Sequence, residues 1–289
     1  MSTSVMQQLE ALSLESYHFL FYDATNYTGV VSPAACAALN VAALLMFWLV
    51  HVILDKIWRV CSDGFAQLET LKQMEVLHNT TSAVSTAVLG LLYIRAAYDT
   101  RTTVVSRWES TNYFGQIGLL INCALTFYEI TLYIFYFKKG FEFWIHHILV
   151  LINFLPILVV GHLGHWGYFD GTVEFTNVFL AYVSVSRIFE SKGGILYVIA
   201  GFGLWVSFFL LRMVGMGYWM YQFAMDFYTH PEVFERNLNY AKYTAFPTTL
   251  FLFVLSSYWF IPITKGFFKA IGFPLCPESA KKTERKKEK

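Results

Sequence analysis

The chain has 289 residues, 56% of them hydrophobic, 19% aromatic and only 14% charged, with a formal net charge of +1. Soluble domains carry about 25% charged residues, so this composition excludes a water-soluble globular domain. The near-neutral balance excludes nucleic acid as a partner. No Lys or Arg precedes Lys56, so a cleaved signal peptide, which needs a basic leading region, is not expected.

Residues 1–33 are polar to mildly aromatic and read as a short tail, with Asn26-Tyr27-Thr28 as a glycosylation sequon if that tail is lumenal. Seven apolar stretches follow, each near the roughly 20 residues that a spanning helix needs. They lie at about 34–54, 76–98, 113–137, 141–160, 172–190, 195–220 and 243–263. The fold expected is an all-α polytopic membrane bundle, occupying residues 34–270, around a central cavity.

With the N-terminus lumenal, the cytosolic loops and tail hold fifteen Lys and Arg residues and the opposite loops five, namely Arg95, Arg101, Arg107, Arg236 and Lys242. The positive-inside bias therefore predicts a lumenal N-terminus and a cytosolic C-terminus. Residues 271–289 form a basic tail that ends Lys286-Lys287-Glu288-Lys289. Two lysines at the third and fourth positions from a cytosolic C-terminus resemble the dilysine address that returns membrane proteins to the endoplasmic reticulum. A solvated tail touching anionic headgroups is the plainer alternative.

Cys36, Cys61, Cys123 and Cys276 share no CxxC spacing, so neither a disulfide framework nor a zinc site is expected. Ionisable residues inside the apolar stretches are more telling, because a charged side chain at the bilayer centre costs about 2.5–3.5 kcal/mol on insertion scales. Residues three, four and seven apart share a helix face. Asn122, Thr126, Glu129 and Tyr133 form one such stripe, and Glu142, His146 and Asn153 another. His78 with Ser82 and Ser85, and Glu174 with Asn177, form two more. His147, about 100° round its helix from His146, is expected to point elsewhere.

A rise of 1.5 Å per residue places Glu129 about 12 Å from the cytosolic end of its span, and Glu174 and Arg212 roughly 25 Å from that side. Two polar layers are expected. The deeper reads as a structural ion pair, Glu174 with Arg212. The shallower, Glu129 with His146 and His147, is the candidate site, walled by His78, Asn122, Thr126, Glu142, Asn153 and Tyr258. The histidine pair has an equally valid reading as helix–helix hydrogen-bonding residues. A second pair, His162 and His165, falls on a turn at the other end of the same helix, so the two pairs cannot share a metal and no metal site is expected.

The order of these features resembles the TLC-domain family, which covers the translocating-chain-associating protein, ceramide synthases and the ceroid-lipofuscinosis type 8 protein. The residues that carry the resemblance are Phe127-Tyr128-Glu129, Phe143-Trp144-Ile145-His146-His147, Val173-Glu174-Phe175-Thr176-Asn177, Phe208-Phe209-Leu210-Leu211-Arg212 and Ser257-Tyr258-Trp259-Phe260. The resemblance implies an endoplasmic-reticulum or Golgi membrane protein with a lipid-accessible cavity. In ceramide synthases the paired histidines belong to the acyl-transfer site, which maps onto His146 and His147. The chain departs from that pattern at Val150, where those enzymes have Thr or Ser, and it has no His-Asp pair in the 174–177 region. It is nearer the branch that holds the ceroid-lipofuscinosis type 8 protein and the TLC-domain-containing proteins.

The expected function is therefore lipid homeostasis, with membrane lipid as the partner in the cavity and no cofactor. An acyl-CoA-dependent acyltransferase and a cargo receptor cycling to the Golgi are the alternatives. In the first, acyl-CoA is the co-substrate and His146 or His147 is the base, oriented by Glu129. A coat protein is the expected partner of Lys286 and Lys287, and the sequence leaves homo-oligomerisation open.

Overall fold

Lipid offers no hydrogen-bond partners, so every backbone N–H and C=O of a spanning segment must be satisfied within it, and a single chain does this as helices. The computed structural model describes residues 33–138, 140–190, 194–232 and 238–270. It is 91% helical, with no strand among the described residues. Among the described residues six stretches are long and apolar enough to cross a membrane: Ala35–Cys61, Thr70–Thr100, Val104–Phe135, Phe141–Val159, Ile195–Thr229 and Ala241–Lys269.

Local chemistry sets the ends of these helices. Helix α1 (Pro33–Cys61) is followed by the single turn α2 (Asp63–Ala66), whose cap Ser62 accepts the Phe65 N–H at 3.2 Å, and then by α3 (Thr70–Thr100). Thr103 and Ser106 form a reciprocal capping box that opens α4 (Val104–Glu109). Asn112 caps α5 (Tyr113–Phe135) by accepting the N–H groups of Phe114 and Gly115. Helix α6 (Phe141–Val160) ends on Gly161 in the left-handed conformation, φ 80°, where glycine meets no Cβ penalty.

The expected fifth span, 172–190, is the second half of a longer element. A continuous helical segment begins at Gly164 and comprises α7 (Gly164–Gly171), a 3₁₀ turn (Thr172–Phe175) and α8 (Thr176–Ile188). It is absent from the six apolar stretches because it is broken by the 3₁₀ turn and carries His165, Asp170, Glu174 and Asn177. Its environment explains how these are tolerated: every residue from Leu163 to Glu174 except Phe169 is buried. The expected turn carrying His162 and His165 is likewise corrected. His162 does lie on the turn, which runs through Leu163, whereas His165 sits inside α7 with Nδ1 2.9 Å from Thr100 Oγ1.

This buried segment lies against α3 at ring-on-glycine distance. A Cβ on Gly90 would fall 2.7 Å from the Phe175 ring, and one on Gly171 would fall 2.5 Å from the Tyr93 ring. Small residues at such crossings are what let membrane helices approach closely. Beyond it, α9 (Ile195–Ser207) runs into a π-helical stretch (Phe208–Gly215) and α10 (Met216–Thr229). The short α11 (Leu238–Tyr240), a second π stretch (Ala241–Ala245) and α12 (Phe246–Ala270) complete the bundle. Trp205 pins α9 to α12, stacking on Phe267 and donating its indole N–H to Thr264 Oγ1 at 3.1 Å.

At the end of the bundle away from Lys138, Arg107 and Asp226 form a bidentate pair, Nε to Oδ2 at 2.7 Å and Nη2 to Oδ1 at 2.5 Å. Trp108 adds its indole N–H to Oδ2 at 3.1 Å. Removing one member of such a buried pair strands the other charge, at a cost of about 3–5 kcal/mol. Asp226→Ala is therefore expected to destabilise the protein by about that amount, and thermal unfolding of the purified protein in detergent measures it.

Candidate functional site

Helix α5 carries Glu129 to the point where α3 and α6 cross it. His147 Nε2 lies 2.8 Å from Glu129 Oε2, and His78 Nε2 lies 3.2 Å from Oε1. The other nitrogen of His147, Nδ1, is 2.7 Å from the Phe143 carbonyl, one turn earlier in α6. A carbonyl only accepts, so Nδ1 carries a proton and points it there. One further proton then bridges His147 Nε2 and the Glu129 carboxyl, whichever group holds it. The edge of Tyr133 closes over the His147 ring, with centroids 5.0 Å apart. On the neighbouring residue, the Tyr128 hydroxyl meets His51 Nδ1 at 2.6 Å.

The sequence pattern turned α6 the wrong way. It placed Glu129 with both His146 and His147 and expected His147 to point away from the stripe that holds His146; the structure gives Glu129 to His147 and turns His146 away. Periodicity reports which residues share a face, but not which neighbour that face meets. Both nitrogens of His147 and both oxygens of Glu129 are occupied, so this trio is a clamp between α3, α5 and α6.

His146 faces a cavity instead. Its other polar walls are Asp170, Glu174, Arg212 and Ser256, and its apolar walls are Val150, Phe154, Val173, Met216 and Leu252. The enclosed space is small, with room for about one water molecule. Arg212 is 4% exposed, Asp170 3% and Glu174 8%. From His146 to Phe154 the cavity follows α6 for eight residues, about 12 Å at 1.5 Å per residue. It therefore joins the two expected polar layers into one site.

The expected ion pair between Glu174 and Arg212 is also corrected. Among the described residues Arg212 closes no direct contact with either acid. Its Nε donates to Thr176 Oγ1 at 3.1 Å and its Nη2 to the Val173 carbonyl at 3.5 Å, while the guanidinium carbon lies 5.1 Å from the centre of the Phe208 ring. Glu174 Oε2 accepts from Asn177 at 2.8 Å. Asp170 Oδ2 accepts from Thr249 at 3.1 Å and from Asn153 at 3.3 Å, and the Tyr240 hydroxyl in turn donates to Asn153. Asp170 Oδ1 and His146 Nδ1 are buried without a hydrogen-bond partner. The helices provide for cross-helix attraction through space but hold the charges apart around a gap.

Of the polar residues expected in the walls, Asn153 supports Asp170 from behind and His78 belongs to the clamp. Thr126 bonds back to the Asn122 carbonyl at 2.8 Å, and Asn122 is buried in the α5 packing. Glu142 stands in the first turn of α6 outside the cavity, and Tyr258, 65% exposed, faces outward. Asp170 and Ser256 escaped the sequence reading. Asp170 precedes Glu174 by four residues, the spacing of one helix face, but the stretch before residue 172 had been assigned to a loop. Asn26, Lys139, Lys286 and Lys287 lie outside the described residues. Among the described residues no three His, Cys, Asp or Glu side chains come together as metal ligands.

Two of the segments that wall the cavity depart from regular α-helix. Glu174 sits in the 3₁₀ turn, Arg212 in the first π stretch, and the second π stretch follows Tyr240 directly. Such departures are uncommon and gather at functional sites.

A search of curated proteins finds no match to the chain. A family profile for the TLC domain matches residues 74–265, a span that holds His78, Glu129, His146, His147, Asp170, Glu174, Arg212 and Ser256. That span is well over half of the chain, and the protein belongs to the TLC-domain family as a multi-pass, all-α membrane protein.

Proposed function

We propose that this protein acts in lipid homeostasis in the endoplasmic-reticulum membrane and holds a lipid by its polar end in the His146–Asp170–Glu174–Arg212 cavity. One observation carries this reading: a cavity inside an apolar bundle, half polar and half apolar, in which Asp170 Oδ1 and His146 Nδ1 have no protein partner. Buried polar groups are otherwise almost always hydrogen-bonded. The lumenal N-terminus and cytosolic C-terminus rest on the loop charges, and the compartment rests on Lys286 and Lys287 with a coat protein as their partner.

Filling the cavity tests the first half. Val150→Trp places a large ring against its apolar wall, and lipid recovered with the purified protein is expected to fall about tenfold, the effect of losing roughly 1.4 kcal/mol of binding. An unchanged lipid profile by mass spectrometry overturns the reading. For the second half, Lys286→Ser with Lys287→Ser is expected to move the protein into later secretory compartments by fluorescence microscopy. An unmoved distribution removes the retrieval signal.

A second reading, acyl transfer from acyl-CoA to a lipid acceptor, is favoured by one feature, the open Nδ1 of His146 on the cavity wall. In that reading His146 takes the proton of the acceptor's O–H or N–H while the acceptor atom bonds the acyl carbon. The C–S bond breaks, and the coenzyme thiolate leaves with the proton. Such a base contributes about 10²–10⁴-fold. His147 cannot serve, because both its nitrogens are engaged. His147→Ala is thus expected to destabilise the fold by about 3–5 kcal/mol by stranding Glu129, whereas His146→Ala leaves the melting temperature nearly unchanged. Wild-type turnover of acyl-CoA no greater than that of His146→Ala removes the enzymatic reading.

A further inference from the structure

Resting on the lipid-binding reading above, we infer that Trp259 is the gate of the cavity: its ring closes the seam between α6 and α12, and a ligand from the surrounding lipid enters by displacing it. The first observation is where the cavity meets the surface. Of the residues that line it, all but His146 are buried, and His146 is half-buried. The enclosed space therefore comes to the outside of the bundle at His146. That space has room for about one water molecule, so this is the closed arrangement, and anything larger needs a wall that moves.

The second observation is what lies over His146. The Trp259 ring meets the His146 ring edge-on, with centroids 5.6 Å apart and planes at 67°. It also stacks on Phe143, one turn before His146 in α6, at 5.6 Å and 30°. Phe143 and Trp259 are themselves half-buried, so the three rings bridge the two helices at the edge of the bundle. Ser256 and Leu252, three and seven residues before Trp259 on the same face of α12, line the cavity behind it.

The third observation is that Trp259 is held loosely. Among the described residues its indole N–H makes no hydrogen bond, whereas Trp108, Trp205 and Trp219 are each tied by theirs. Three residues on, Pro262 sits inside α12. A proline has no N–H for the carbonyl four residues earlier, that of Tyr258, and loosens the helix there. Tyr258 and Ile261 beside the ring are 65% and 53% exposed, so no described neighbour blocks an outward swing.

The test reads the reactivity of His146 in the full chain in phosphatidylcholine nanodiscs. Diethyl pyrocarbonate acylates accessible imidazoles, and fragment mass spectra separate its rate at His146 from that at buried His147, whose two nitrogens are engaged. Trp259→Ala is expected to raise the rate at His146 about tenfold, the population change on losing ring contacts of this kind. Trp259→Phe, which keeps a ring over the seam, is expected to stay near wild type. Phe143→Ala removes the ring on which Trp259 stacks without touching α12, and is expected to raise the His146 rate as well. The rate at His147 is expected to stay low throughout.

No rise at His146 in either alanine variant overturns the gate. So does an equal rise at His146 and His147, which marks a loosened bundle rather than an opened seam. Lipid recovered with the purified wild-type protein is measured in parallel. A rise at His146 with no lipid recovered overturns the lipid reading and keeps Trp259 as the cover of the cavity, whereas lipid recovered with no rise overturns the gate alone.

Discussion

A carboxylate placed among apolar helices has to be answered by the helices around it, and Glu129 is answered twice. His78 reaches it from α3 and His147 from α6. The consequence extends beyond the three residues. Once His147 is committed to Glu129, the rotation of α6 about its axis is set, and adjacent side chains lie about 100° apart on a helix. His146 is thereby turned away from α5 and onto the cavity wall. The clamp supplies the frame, and the residue next to it lines the cavity. Phe143 strengthens the arrangement by taking the second His147 proton within the same helix, so the imidazole has no alternative pose that keeps both bonds.

The two polar groupings in the bundle follow opposite rules. In the clamp both oxygens of Glu129 and both nitrogens of His147 are matched at hydrogen-bond distance. The same holds at Arg107 and Asp226, where the fork of the guanidinium meets both carboxylate oxygens. Around the cavity, Arg212, Asp170 and Glu174 are near enough to share one space, yet no direct ion pair closes it among the described residues. Folding alone favours closing such a gap, since an unmatched buried polar group costs about 1–3 kcal/mol. The unmatched atoms around this gap are the feature on which the lipid-binding proposal rests.

The sequence disclosed the architecture because lipid imposes a coarse rule. Long apolar runs must be helices, and their charge-bearing residues must face inward. Six of the expected spans follow from that alone. The buried segment Gly164–Ile188 is harder to read for the same reason: sheltered by α3, it is free to carry His165, Asp170 and Glu174, so its apolar signal is weak and its beginning was placed eight residues late. The site was legible only in part. Glu129, His146, His147, Glu174 and Arg212 stand out as charges in apolar runs, and all five fall in the clamp or on the cavity wall. Their partnerships do not, because whether His146 or His147 meets Glu129 depends on helix rotation, a property of the packed bundle that no single helix encodes.

The backbone around the cavity supports the same view as the side chains. A regular α-helix through Phe208–Gly215 would keep every i to i−4 hydrogen bond, and a π stretch gives up that regularity. Arg212 lies inside this stretch, Glu174 inside a 3₁₀ turn, and Ala241–Ala245 forms a second π stretch just after Tyr240. Two irregular segments from separate parts of the chain thus meet around one space. Tighter winding in the 3₁₀ turn and looser winding in the π stretches change where each side chain emerges, so Glu174 and Arg212 come to line one cavity without touching. Breaking regular winding at Glu174 and at Arg212 thus leaves the acid and the guanidinium on one space without a direct contact among the described residues.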